Sequence, residues 1–222
     1  MCARARVCVC VGAVQVAELG RNISAATNSS SHGDTIGAVS VSKDKRGLFS
    51  TDDIYFGTVT QVIGNLDFDG ATISPGDATM KRLERVAGAV NFESCLGLTS
   101  LAFPRLRTVG GYLFIDSNPQ LTSLSFPSLL ETGGYLSISN NPKLTALDFG
   151  SIQRVGASAI GVPDIGSGYL SFYNNNGNKP IASAVSCKRL KDACSAVPAC
   201  RDYPDNNHAA AHLGPRMKNV CN

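Results

Sequence analysis

A 23-residue pattern recurs through the middle of the chain: LTSLAFPRLRTVGGYLFIDSNPQ from Leu98, LTSLSFPSLLETGGYLSISNNPK from Leu121 and LTALDFGSIQRVG from Leu144. Leu98, Leu121 and Leu144 are in phase, as are Leu101, Leu124 and Leu147, and then Phe103, Phe126 and Phe149. Apolar residues one period apart bury one another only if successive units stack, so the pattern predicts a solenoid. The phase extends back through Leu83, Val86, Gly88, Val90 and Phe92. A weaker unit precedes it, with Ile63, Leu66 and Phe68 aligned on Val86, Val90 and Phe92. Forward, Tyr169-Leu170-Ser171-Phe172 repeats Tyr135-Leu136-Ser137-Ile138 after an 11-residue insertion, Ala157 to Ser167, which is expected to be a surface excursion. About five coils between Val62 and Asn178 are expected.

The letters of one coil predict its path. In G-Y-L-F-I-D and G-Y-L-S-I-S, Leu113, Ile115, Leu136 and Ile138 alternate with residues able to face solvent, the period of a short strand. The segment L-x-x-L-x-F-P turns at Pro104 and Pro127, where a missing donor ends the ladder. Gly110-Gly111 and Gly133-Gly134 precede the strand, where positive φ or a close backbone approach favours glycine. Asn118, Asn141 and Asn175 each fall three residues after the last inward strand residue, a place for a buried amide ladder that bonds loop groups of neighbouring coils. Cys95 holds this position one coil earlier and reads as a small structural filler. The predicted fold is therefore mainly β: a solenoid of about five 23-residue coils built from short parallel strands.

The string V-G-G-Y-L-x-I-x-x-N-P-x-L-T-S-L-x-F-P-x-L resembles the receptor L domain, the leucine-rich-repeat-like β-helix of the insulin and epidermal growth factor receptors. It is similar, more closely, to repeats of fungal GPI-anchored cell-wall proteins of the sporulation-specific type and of related protist surface proteins. The resemblance covers residues 60–178. It implies an extracellular or wall-associated binding module and names no ligand, because fold does not fix function.

The flanks divide into a possible signal peptide (1–17), a Ser/Asn-rich leader (18–50), the solenoid (51–182) and a Cys-rich end (183–222). Arg4 and Arg6 before the apolar run from Val7 to Val14, with Ala17 after it, have the layout of a short secretory signal. Asn22-Ile23-Ser24 and Asn28-Ser29-Ser30 are glycosylation sequons. No stretch has the roughly 20 apolar residues that cross a bilayer, and the end MKNVCN carries no GPI-type hydrophobic tail. Extracellular or cell-surface localisation without a transmembrane segment is expected. Cys187, Cys194, Cys200 and Cys221 form an even set able to staple a partly helical cap over the last coil by two disulfides, in any of three pairings. A zinc set of Cys200, His208, His212 and Cys221 is the rival reading, and its spacing fits no tight finger.

Function is expected on the outward strand positions, since the inward ones are committed to the core. Those columns are Asn65, Ala89, Tyr112, Tyr135 and Tyr169; Asp67, Asn91, Phe114, Ser137 and Ser171; and Asp69, Glu93, Asp116, Ser139 and Tyr173. One face is thus acidic at its start and aromatic towards its end. Tyr112, Phe114, Asp116, Tyr135, Tyr169 and Tyr173 are the candidate ligand-binding residues, for a protein or glycan partner. The plainer reading is that such aromatic ladders stack for stability. Asp69, Glu93 and Asp116 also have the spacing of paired glycosidase carboxylates, and a purely structural surface protein is a further alternative. The one-threonine column Thr99, Thr122, Thr145 is too thin a lattice for ice. No nucleophile triad, phosphate loop or nucleotide fingerprint is present, so a non-catalytic role without cofactor or metal is expected. A net charge of +3 spread along the sequence suggests neither nucleic acid nor another polyanion as partner.

Overall fold

In a computed structural model the described residues are 59–70, 72–156, 170–183 and 187–195, with the backbone of short strands at 8–11, 14–16, 35–36, 38–41 and 48–49. Three parallel sheets form a β-solenoid. The first contains Leu66–Asp69, Val90–Glu93, Leu113–Asp116, Leu136–Ser139 and Leu170–Tyr173. The second contains Thr72–Thr79, Leu96–Ala102, Ser123–Ser125, Ala146–Asp148 and Ala182–Ser183. The third holds two-residue strands in the register Gln61, Arg85, Thr108, Glu131 and Arg154, which are four turns from first to last. Ala38–Val41, Leu48–Phe49 and Thr35–Ile36 add one parallel strand to each sheet, so part of the stretch read as a leader joins the solenoid. Cys8–Val11 and Val14–Val16, within the stretch read as a signal, pair antiparallel beyond Ala38–Val41.

The period-two alternation sets what each strand buries. Leu66, Val90, Leu113, Leu136 and Leu170 stack in register and are at most 2% exposed. Phenylalanines fill the centre: Phe103, Phe126 and Phe149 form a continuous stack with ring centroids 5.0 and 5.1 Å apart. Phe68 stacks on Phe92 at 4.6 Å, and Phe92 meets Phe103 edge to face. In the earliest of these turns Val62, not Ile63, pairs with Val86 and is buried, while Ile63 is 66% exposed. The offset there is a uniform 24 residues, Val62 to Val86 and Leu66 to Val90, so no residue is missing between Val62 and Leu66 and Ile63 falls on the outer side. The extra residue of this coil lies later, within 72–77, where the register against Leu96–Ala102 shifts and the offset returns to 23.

The glycine pairs serve close approach. Neither Gly110 nor Gly111 has positive φ. A Cβ on Gly110 would lie 2.1 Å from the Ala87 carbonyl oxygen, and one on Gly111 2.9 Å from the Ala89 nitrogen. The backbone itself is the obstacle, because Gly110 N–H donates to Val86 O at 2.8 Å and Gly111 N–H to Gly88 O at 2.9 Å. Gly110→Ala is expected to force two coils apart and to lower stability by about 2–3 kcal/mol, the range of overpacking. Urea unfolding followed by circular dichroism checks it, with Gly97→Ala, at a position of positive φ, as a comparison of strain with crowding.

The asparagine ladder forms as the spacing predicts. Asn118 Oδ1 accepts from Cys95 N at 2.9 Å, Asn141 Oδ1 from Asn118 N at 3.0 Å, and Asn175 Oδ1 from Asn141 N at 3.1 Å. Each Nδ2 donates to a carbonyl of the preceding coil: Asn118 to Phe92 O, Asn141 to Ile115 O and Asn175 to Ile138 O, at 2.8–3.1 Å. The Cys95 thiol takes the same place, donating to Phe68 O at 3.4 Å. It reproduces the downward bond of an amide, which explains why a cysteine fits the column. All four residues are fully buried.

Beyond the third sheet lies the helix Cys187–Ser195. Leu190 and Ala193 face the core and are buried, and Arg189 donates to Gly150 O. Lys188 and Asp192 pair across one turn at 2.6 Å.

Candidate functional site

The alternation that buries Leu113 and Ile115 turns Phe114 and Asp116 outward, and parallel pairing aligns these outward residues between coils. The registers are Asp67, Asn91, Phe114, Ser137, Ser171 and Asp69, Glu93, Asp116, Ser139, Tyr173. Tyr112 and Tyr135 stand one residue before their strands. Tyr112, Phe114, Asp116, Tyr135 and Tyr173 are all half-buried on this one face. Tyr169 lies outside the described residues.

The rings adopt two arrangements. Tyr112 and Tyr135 stack with centroids 4.6 Å apart and planes 3° from parallel, close to the strand spacing itself. Their facing π surfaces are therefore taken up by each other, as the plainer reading of an aromatic ladder expects. Phe114 stands at 90° to Tyr135, 6.1 Å away. Beside these rings the outward serines sit low: Ser137, Ser139 and Ser171 are 4%, 2% and 1% exposed. The Oγ of Ser171 is enclosed without a hydrogen-bond partner.

Asp116 is bracketed. Its Oδ1 accepts from Ser139 Oγ at 2.5 Å and Asn140 Nδ2 at 2.9 Å, and its Oδ2 from Ser117 Oγ at 2.6 Å. Two coils earlier, Asn91 Nδ2 donates to Asp67 Oδ1 at 2.8 Å and Asn65 Oδ1 accepts from Ala89 N at 2.9 Å. Asp69, Glu93 and Asp116 stand on successive strands, about 4.8 Å apart by sheet geometry.

The sequence reading missed the residues that hold Asp116. Ser117 and Asn140 belong to a column, Ser94, Ser117, Asn140 and Asn174, with φ of 53–57°, the left-handed region. The signal was present as small polar residues at a fixed phase, since asparagine and serine bond their own backbone and tolerate this region better than branched residues.

Burial, then the charge of Asp67, then that of Glu93 raise the Tyr112 phenol above its ordinary value of 10.0. A raised folded-state pKa means stability that is complete below the unfolded value and is lost as pH rises through the folded one. Tyr112→Phe is therefore expected to flatten the alkaline decline of Tm that sets in as pH rises above about 10, while leaving the neutral-pH value little changed. An identical alkaline slope in both proteins would show that Tyr112 is not its source.

No family model, curated protein or solved structure matches the chain. The face rests on its own geometry. Among the described residues no group of three or more His, Cys, Asp or Glu side chains is placed to hold a metal ion, and no helix is long and apolar enough to cross a membrane. Among the described residues Cys95 is a buried cysteine outside any disulfide. Cys187 and Cys194 lie on the helix Cys187–Ser195. Cys200, Cys221, His208, His212, the sequon residues Asn22 and Asn28, and the insertion 157–167 fall outside the described residues.

Proposed function

We propose that this protein is a non-catalytic recognition module of the extracellular or cell-surface kind, binding a protein or glycan ligand through the outward face of its first sheet. The observation that carries this reading is the convergence of Tyr112, Phe114, Asp116, Tyr135 and Tyr173, all half-buried, on one rigid face. In the sequence Tyr169 shares the repeat phase of Tyr112 and Tyr135. Amphipathic rings supply contact area at low entropic cost, and a rigid parallel sheet needs little ordering on binding. The resemblance to receptor L domains points the same way, towards a right-handed solenoid of about five coils. Its C-terminal cap would be tied by disulfides among Cys187, Cys194, Cys200 and Cys221, and its leader would carry glycans at Asn22 and Asn28. The three hydrogen bonds on Asp116 favour a positioning role over that of a free catalytic carboxylate.

The test is a glycan array and a cell-surface protein screen with the full chain, repeated with Tyr112→Ala/Tyr135→Ala. The ligand found is expected to bind the variant at least about tenfold more weakly, the effect of losing a hot spot, with the fold retained by circular dichroism. Unchanged binding would place the site elsewhere, and hydrolysis of a bound glycan would favour the paired-carboxylate enzyme.

A further inference from the structure

The positive charges that look dispersed along the sequence are not dispersed in space. Arg85 pairs in register with Thr108, and Arg107 N–H donates to Glu84 O at 2.9 Å. Leu83 and Leu106 are the fully buried residues just before. This alignment sets Arg82 beside Arg105, one coil apart, with Lys81, Arg85 and Arg107 around them, and all five are exposed. Among the described residues none of the five makes an ion pair. Glu84 is the one acidic residue in these segments, and it is exposed as well. Two coils further on the same sheet does pair its charges, Arg154 with Glu131 at 2.5 Å. Arg82 and Arg105 occupy equivalent turns of adjacent coils, and like charges held this close repel, so their juxtaposition is a cost to folding that a bound anion would remove.

We propose that Lys81, Arg82, Arg85, Arg105 and Arg107 form a docking strip for a linear anionic polysaccharide, separate from the aromatic face. Three observations select this class of partner. Four of the five cations are arginines, whose planar forks bind oxyanions in pairs of hydrogen bonds. Two adjacent coils present these charges one step of about 4.8 Å apart, which suits successive anionic groups of a polymer crossing from one coil to the next. The strip has no aromatic residue: its columns continue as Ser128 and Ser151, as Leu130 and Gln153, and as Glu131 and Arg154. Single-stranded nucleic acid is held by stacking its bases on aromatic side chains, so hydroxyls and arginines without rings fit acidic sugars better. Towards the helix the strip opens into a groove of about 540 Å³ lined by residues including Gly150, Ser151, Gln153, Arg189 and Asp192, which gives the chain room to continue.

The experiment measures binding of the full chain to heparin and to polygalacturonate at about 0.1 M salt, where exposed charges still act over roughly 10 Å. The wild type is expected to bind at least one of them, and Arg82→Gln/Arg105→Gln to weaken that binding about tenfold or more. Lys143→Gln/Lys179→Gln removes the same charge at exposed positions elsewhere and is expected to change it less than about twofold. Tyr112→Ala/Tyr135→Ala should bind the polysaccharide as the wild type does, which separates this strip from the aromatic face. No binding by the wild type, equal losses in the two charge variants, or tighter binding of single-stranded RNA than of either polysaccharide would each overturn the proposal.

Discussion

Asn141→Ala is expected to lower the stability of the solenoid by at least about 4 kcal/mol and to leave its middle coils unable to stay folded as one unit. Asn141 Oδ1 accepts from both the backbone and the side-chain nitrogen of Asn118, at 3.0 and 3.2 Å. Its Nδ2 lies 3.1 Å from Ile115 O, 2.7 Å from Ser139 O and 3.1 Å from Asn175 Oδ1. Alanine would strand the Asn118 N–H in a region where Asn118, Asn141 and Asn175 are 0% exposed, and would remove the amide's bonds to the carbonyls of Ile115 and Ser139, of which Ser139 O keeps the Ser117 N–H at 3.2 Å. Each buried group left unpaired costs about 1–3 kcal/mol, and whole domains are stable by only about 5–15 kcal/mol. Since each coil contacts only its neighbours, a break in the centre uncouples the two halves. Urea unfolding should therefore change from one transition to two. A single transition, shifted by less than about 1 kcal/mol, would mean that water replaces the amide at no cost.

Phe126→Ala is expected to cost about 3–5 kcal/mol, as ring deletions from a filled core do. Phe126 is 0% exposed and stands between Phe103 and Phe149, with planes 12° and 3° from theirs. Removing it opens a ring-sized cavity inside a stack whose neighbours are held by strands on every side, so little collapse is available to offset the loss. Phe126→Leu, which keeps most of the volume, is expected to cost less than half as much. Denaturant titration of both variants decides it. Equal losses would show that stacking geometry, not volume, sets the contribution.

The functional face and the core were legible to different degrees because of how a solenoid is built. Each coil repeats the last by a translation along one axis, so a fixed offset in sequence becomes a neighbour in space. The inward set Leu113, Ile115, Leu136 and Ile138 and the Asn118, Asn141, Asn175 ladder follow from that rule alone. So does the alignment of Tyr112 with Tyr135. What that rule omits is the height and rotation of side chains. It does not say that Tyr112 and Tyr135 turn their faces on each other, that Ser137 and Ser171 lie buried beside taller rings, or that Asp116 is held by Ser139 and Asn140. Ile63 takes the outer side, against the expected 23-residue phase, because one extra residue within 72–77 makes the offset to the next coil 24, and hydrophobicity alone does not mark where that residue sits.

The amino-acid sequence by itself determined the repeat, the parallel β architecture and the identity of the core, because periodic burial is the dominant energetic term and is written in the order of the residues. Only the tertiary structure decided which exposed groups act together. Asp116 accepts from Ser117, Ser139 and Asn140, and hydrogen-bonding, electrostatic and stacking interactions depend on distance and orientation, which exist only once the coils have closed on one another.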